Sequence, residues 1–301
     1  MATQLPHRPM TGIFLMLVTG VCFILVTALV KSMGSRMPAA EAAFLRYAMG
    51  LVFVLPVIST LRAAHLTRRQ WQLFTIRGLC HACGVILWFY AMTRIPIAEV
   101  TAMNYLAPIY VTIGAAIFLG ERLAARRIFA VVMGLVGAAI ILRPGFREVG
   151  SGHLAMLIAA VVFAASYLIA KLLADETKPA VVVAMLSVFV TISLAPFAAY
   201  DWIVPNAKEL TFLAAVACFA TAGHFTMTLA FAAAPVTVTQ PVTFLQLIWA
   251  AALGAFMFAE PVDIWVVVGG FVILASVTFI TWREAVLKGR HITPHTNETK
   301  V

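Results

Sequence analysis

Two histidines, His81 and His224, stand inside apolar stretches, each on a stripe of residues at helical spacing. Arg77, His81, Gly84 and Trp88 share one stripe, and Thr221, His224 and Thr228 share the other. An imidazole in such a setting either marks a polar pathway or sits neutral against a hydroxyl, and both readings stay open. A second constellation carries no charge. Thr101, Asn104, Pro108 and Thr112 recur at i, i+3, i+7 and i+11, and Thr239, Thr243 and Gln246 at i, i+4 and i+7. Pro108 removes one N–H and leaves the Asn104 carbonyl without its helical partner; Pro241 does the same for Thr237. Such stripes either line a polar cavity, where a ligand or water meets the freed groups, or hydrogen-bond between helices. Arg46 either pairs with an anionic ligand group or holds helix carbonyls. Trp88, Tyr90, Tyr105, Tyr110, Tyr167, Phe244 and Trp249 offer stacking faces to a planar ligand, besides ordinary packing. All of this is binding chemistry. No cluster of nucleophile, acid and base appears. Cys80 and Cys83 flank His81 as C-x-x-C without a second pair of ligands, so the spacing suits small-residue packing and predicts neither metal nor cofactor.

The elements that must position these groups are membrane spans. The chain is 63% hydrophobic and 11% charged, with a mean hydropathy of +1.00. Soluble domains run nearer half apolar and a quarter charged, so lipid must be the solvent. A span needs about 20 apolar residues, and ten such segments are read at 10–30, 39–59, 72–90, 97–119, 127–142, 152–173, 179–199, 211–231, 236–258 and 262–282. The first is too long for a signal peptide's apolar core. Residues 283–301 form a hydrophilic tail. With both termini cytoplasmic, the inner segments hold 13 Lys and Arg against 6 outside, the bias that orientation predicts. The net charge of +9 thereby reflects a bilayer partner, with no call for nucleic acid.

The chain also matches itself. Met16 pairs with Met156, Phe23 with Phe163, Lys31 with Lys171 and Pro56 with Pro196 at an offset of 140. Gly84 pairs with Gly223, Ala91 with Ala230, Pro96 with Pro235 and Glu121 with Glu260 at 139. Each half holds five spans, an odd number, so the second inserts upside down relative to the first. The fold class is therefore an all-α integral membrane protein with ten transmembrane helices as two inverted five-helix repeats, 10–142 and 152–282. Inverted repeats belong to secondary transporters, with the small-molecule site near the midplane between the halves. The expected substrate-binding set is Arg46, His81, Trp88, Asn104, Tyr105, Tyr167, His224, Thr243 and Gln246.

Phe44-Leu45-Arg46-Tyr47, Ile95-Pro96-Ile97-Ala98-Glu99, Tyr105-Leu106-Ala107-Pro108 and Leu119-Gly120-Glu121-Arg122 resemble the drug/metabolite transporter superfamily, specifically its EamA-domain members. Ala234-Pro235-Val236 through Phe258-Ala259-Glu260-Pro261 repeats the pattern, with Leu247 where the first half has Pro108. The resemblance implies an inner-membrane carrier of a small organic metabolite. Some similar proteins import riboflavin, which becomes the expected cargo; export of amino acids or related metabolites is the alternative. Lys31 and Lys171, closing the first span of each half, are expected to snorkel to the interface. Glu121 and Glu260 are expected to hydrogen-bond the start of the following helix. None of the twelve carboxylates falls mid-span, which argues against a relay of buried acids. No phosphate-binding G-x-x-x-x-G-K-[ST] is present, which argues against ATP-driven transport.

Overall fold

The structure, a computed structural model, describes residues 9–118, 125–146, 148–174, 176–234, 239 and 242–291. Among the described residues nine helical segments are long and apolar enough to cross a bilayer, and a shorter apolar helix covers Leu245–Phe258. The chain is a multi-pass membrane protein. In chain order the helices are α1 (Pro9–Met33), α2 (Ala39–Gly50), α3 (Ile58–Arg62), α4 (Arg68–Met92), α5 (Ile97–Asn104), α6 (Ala107–Phe118), α7 (Ala125–Leu142), α8 (Ser151–Ala174), α9 (Pro179–Tyr200), α10 (Ala207–Ala233), α11 (Thr243–Phe258) and α12 (Ile264–His291).

Two spans are interrupted, and proline accounts for both. The second span passes from α2 through a 3-10 stretch, Leu51–Val57, into α3. Pro56 lies in that stretch, where tighter i→i+3 bonding avoids the ring's clash with the carbonyl four residues back. Its repeat mate Pro196 sits inside α9 without ending it. The fourth span, read over 97–119 with a break at Pro108, divides into α5 and α6 at Tyr105–Leu106, just before that proline. The counterpart prolines Pro235 and Pro241 lie outside the described residues, as do Thr237 and Glu121. The last helix continues beyond the expected 282, to His291.

Helix starts are fixed by caps. Thr67 Oγ1 accepts from the Gln70 N–H while Gln70 Oε1 accepts from the Thr67 N–H, at 3.2 and 2.9 Å. Asn206 and Glu209 do the same at the head of α10, at 2.9 and 2.8 Å. These reciprocal boxes satisfy N–H groups that a helix start leaves orphaned. They stand 139 residues apart, so the repeat extends to its caps.

The packing follows the same pseudo-twofold rule. α1 runs along α10 and α4 along α8; α2 meets α9, α5 meets α11 and α7 meets α12. Each contact joins the two halves. Phe163 of α8 lies on Gly84 of α4, where an added Cβ would come within 2.7 Å of its ring. Phe23 of α1 lies on Gly223 of α10, with the corresponding distance 3.1 Å. Phenylalanine and glycine are thus exchanged between halves in matched pairs. α7 and α12 cross at Gly137 and Gly269, where a Cβ on Gly137 would meet the Gly269 carbonyl oxygen at 2.7 Å. Small residues at a crossing let backbones approach, a recurring basis of helix association in lipid.

Candidate functional site

These pairings leave a cavity of about 270 Å3 between the halves. α1, α2, α4 and α5 line it from one side, and α8, α10 and α11 from the other. Arg46, His81, Trp88, Asn104, Tyr105, Tyr167, His224, Thr243 and Gln246 all face this one space. Asn104 ends α5, Tyr105 caps it and Thr243 begins α11, so the polar stripes of the two halves meet here. The Tyr105 hydroxyl donates to the Thr243 carbonyl at 3.0 Å, tying the two stripes together.

The two histidines have different surroundings. His81 is buried, with Nε2 3.1 Å from the Tyr47 hydroxyl and Nδ1 3.3 Å from Ser166 Oγ. Both ring nitrogens are engaged, so His81 acts as a bridge that fixes Tyr47 against α8. Phe163 packs on its ring at a centroid distance of 5.0 Å, and Tyr167 stacks on Phe163 at 6.2 Å. His224 meets Phe23 edge-on at 5.1 Å. Arg46 lays its guanidinium over the Tyr47 ring, 4.0 Å from the centroid. Nearby, the Thr19 and Thr226 hydroxyls meet at 2.8 Å across α1 and α10.

Arg77, predicted on the His81 stripe, leaves the cavity. It donates from Nη1 to the Val182 carbonyl at 2.8 Å, and its Nε is buried without a partner. The stripe places it on the same helix face, but α9 crosses there. Cys80 and Cys83 are free thiols, as are Cys22 and Cys218. No group of side chains that could hold a metal occurs among the described residues. The side chains of Thr228 and Phe244 lie outside the described ones.

One end of the helix bundle is tied by charge. Glu260 follows Ala259, whose φ of 52° turns the chain back at the end of α11. Glu260 Oε2 accepts from the Ile97 N–H at 2.8 Å, capping α5, and the same carboxylate pairs with Lys31. Lys31 also donates to the Ile95 carbonyl at 2.9 Å. Two sequence expectations are corrected here. Lys31 does not simply snorkel, and Glu260 caps a helix of the opposite half instead of the one that follows it. At the same end Arg36 pairs with Glu209, Arg143 with Asp263, and His153 Nε2 with Glu99 at 2.6 Å. Glu41 accepts from the Ile203 N–H at 2.9 Å. At the other end Arg69 pairs with Glu176 and holds its carboxyl below the usual range, helped by a hydrogen bond from Gln70. All five of these pairs join one half to the other.

The model of the EamA-like transporter family matches residues 10–143 and 150–282. This chain belongs to that family. Two similar proteins are the riboflavin transporter of Rhizobium johnstonii, 30% identical over 93% of each chain, and that of Vibrio cholerae, 29% identical over 93% of this chain and 96% of the other. The pseudopaline exporter CntI of Pseudomonas aeruginosa is 26% identical over 88% of this chain and 94% of its own. As an EamA-like transporter the chain handles a small molecule, and the cavity is where its two repeats meet.

Proposed function

We propose that this EamA-like transporter takes up riboflavin across the inner membrane by alternating access, with both termini cytoplasmic. In this reading the repeats 10–142 and 152–282 rock about the cavity, and the ion-paired end is the outer one. The carrying observation is that matched residues from both halves meet in one cavity that unites stacking faces with hydrogen-bonding groups. A flavin ring is flat and bears carbonyl and imide groups; its ribityl chain bears hydroxyls. Trp88, Tyr105, Phe163 and Tyr167 suit the ring, while Asn104, Thr243 and Gln246 suit the polar edge and the chain. The volume lies near the lower limit for small-molecule sites, about 300 Å3, consistent with a cavity that widens to admit its cargo. A catalytic role finds no support, since the lining residues bring no nucleophile together with an acid and a base.

The test is riboflavin flux in liposomes containing the purified protein, paired with growth of a riboflavin auxotroph at limiting vitamin. Flux together with rescue supports the reading; neither, despite membrane expression, sinks it. The likeness to an exporter favours a second reading, export of a related metabolite. Efflux from preloaded vesicles without any riboflavin flux would select it.

A further inference from the structure

Building on that reading, we propose that Arg46 sets substrate selectivity by charge, so that the cavity accepts planar molecules that are uncharged or anionic at their polar edge and refuses cations. Arg46 is the one Lys or Arg side chain among the described residues lining the cavity, and no carboxylate lines it. Four buried acids are occupied elsewhere: Glu99 with His153, Glu209 with Arg36, Glu260 with Lys31, and Glu41 on the Ile203 N–H. A charged side chain inside a span demands a partner, and one facing a cavity marks the pathway. Arg46 has no protein hydrogen-bond partner among the described residues, and its guanidinium sits over the Tyr47 ring. No Arg46 nitrogen is sealed from solvent, in contrast to Arg77 Nε.

That arrangement leaves a specific group available. A guanidinium set over a ring, here 4.0 Å from its centroid, keeps N–H donors that match carbonyl, carboxylate or phosphate oxygens. The platform is rigid, because Tyr47 is held through His81 to Ser166. Arg46 and the aromatic faces of Phe163 and Tyr167 line the same cavity, so one ligand can meet both. A cation would meet an uncompensated positive charge of fixed position. An oxygen acceptor would meet an unused fork.

The test uses two probes with the same ring and opposite charge, 2-naphthalenesulfonate and 2-naphthyltrimethylammonium, titrated calorimetrically into the purified protein. The wild type is expected to bind the sulfonate at least about tenfold tighter. Arg46→Gln is expected to abolish that preference, and Arg46→Lys to keep its sign with weaker binding. Tyr47→Leu, which removes the platform and leaves the charge, should weaken the sulfonate selectively. Equal binding of both probes by the wild type, binding of neither, or a preference that survives Arg46→Gln would overturn the proposal. Selectivity that vanishes in Arg46→Gln, in a protein that passes no riboflavin, would uphold this inference and sink the riboflavin reading alone.

Discussion

Removing the charge of Glu260 should loosen one end of the cavity by a predictable amount. Its carboxylate takes the Lys31 ammonium and the Ile97 N–H, with side-chain exposures of only 11% for Glu260 and 17% for Lys31. Glu260→Gln keeps an oxygen for Ile97 but loses the ion pair, while Lys31 retains the Ile95 carbonyl. Hydrogen bonds to charged groups contribute about 1.5–3 kcal/mol and neutral ones about 0.5–1.5. The difference, taken with a partly orphaned lysine, comes to about 2 kcal/mol. Should the pair act only in the closed arrangement, the closed-to-open ratio falls about 30-fold. Glu260→Ala also removes the cap on α5 and should fall further. The assay places a cysteine at Val100, which is 1% exposed and lines the cavity, in a protein lacking the four native cysteines. Labelling by a membrane-impermeant maleimide applied from the Lys31 side should speed up by about that factor. The charge swap Lys31→Glu with Glu260→Lys should slow it again. An unchanged rate in Glu260→Gln, with thermal stability intact, would refute the idea that this clasp closes the cavity.

Gly137→Ala should cost about 1–3 kcal/mol, because the added methyl meets the Gly269 carbonyl and the Ile273 backbone nitrogen, neither of which can turn aside. Gly84→Ala meets only the Phe163 ring and should cost less, and Gly223→Ala less again; thermal melts in one detergent rank the three. Tyr105→Phe deletes the hydroxyl that reaches the Thr243 carbonyl and should lower stability by about 1 kcal/mol, with substrate flux read in parallel. The Glu176 carboxyl is held below its ordinary range by Arg69. A depressed carboxyl lends stability at neutral pH and loses it as pH falls through its folded value. The melting difference between wild type and Glu176→Gln should therefore be present at pH 7 and vanish under acid.

Much of this architecture is legible in the sequence because lipid imposes a strict grammar. Apolar length locates the spans, and an odd number of spans per half inverts the second. The offset linking Phe23 to Phe163 and Gly84 to Gly223 reappears as reciprocal ring-on-glycine contacts. Helical spacing also brings His81, Trp88, Asn104, His224, Thr243 and Gln246 around one cavity, since a stripe on a helix keeps its face, whereas Arg46, Tyr105 and Tyr167 join it from no such stripe. The same logic fails for Arg77, where the neighbour α9 decides what that face meets. It fails again for the ion pairs. Arg36 and Glu209 lie 173 positions apart, and no local pattern connects them. The paired capping boxes at Thr67 and Asn206 are local patterns at the repeat offset, readable as S/T/N followed by E/Q three residues on.

Among the described residues, the five pairs joining the halves are lopsided. The chain up to residue 143 contributes Lys31, Arg36, Arg69 and Arg143 with a single acid, Glu99; the later chain contributes Glu260, Glu209, Glu176 and Asp263 with His153. At the repeat offset Glu260 stands where the first half has Glu121, and Lys31 where the second has Lys171, so that contact carries opposite charges between like halves as well as unlike ones. Arg36, by contrast, faces Glu209 where the first half has Gln70, and Arg143 faces Asp263 where it has Ala124. Halves produced as separate polypeptides are therefore expected to choose each other over their own kind through these two contacts, while the Lys31–Glu260 contact stays indifferent to the choice.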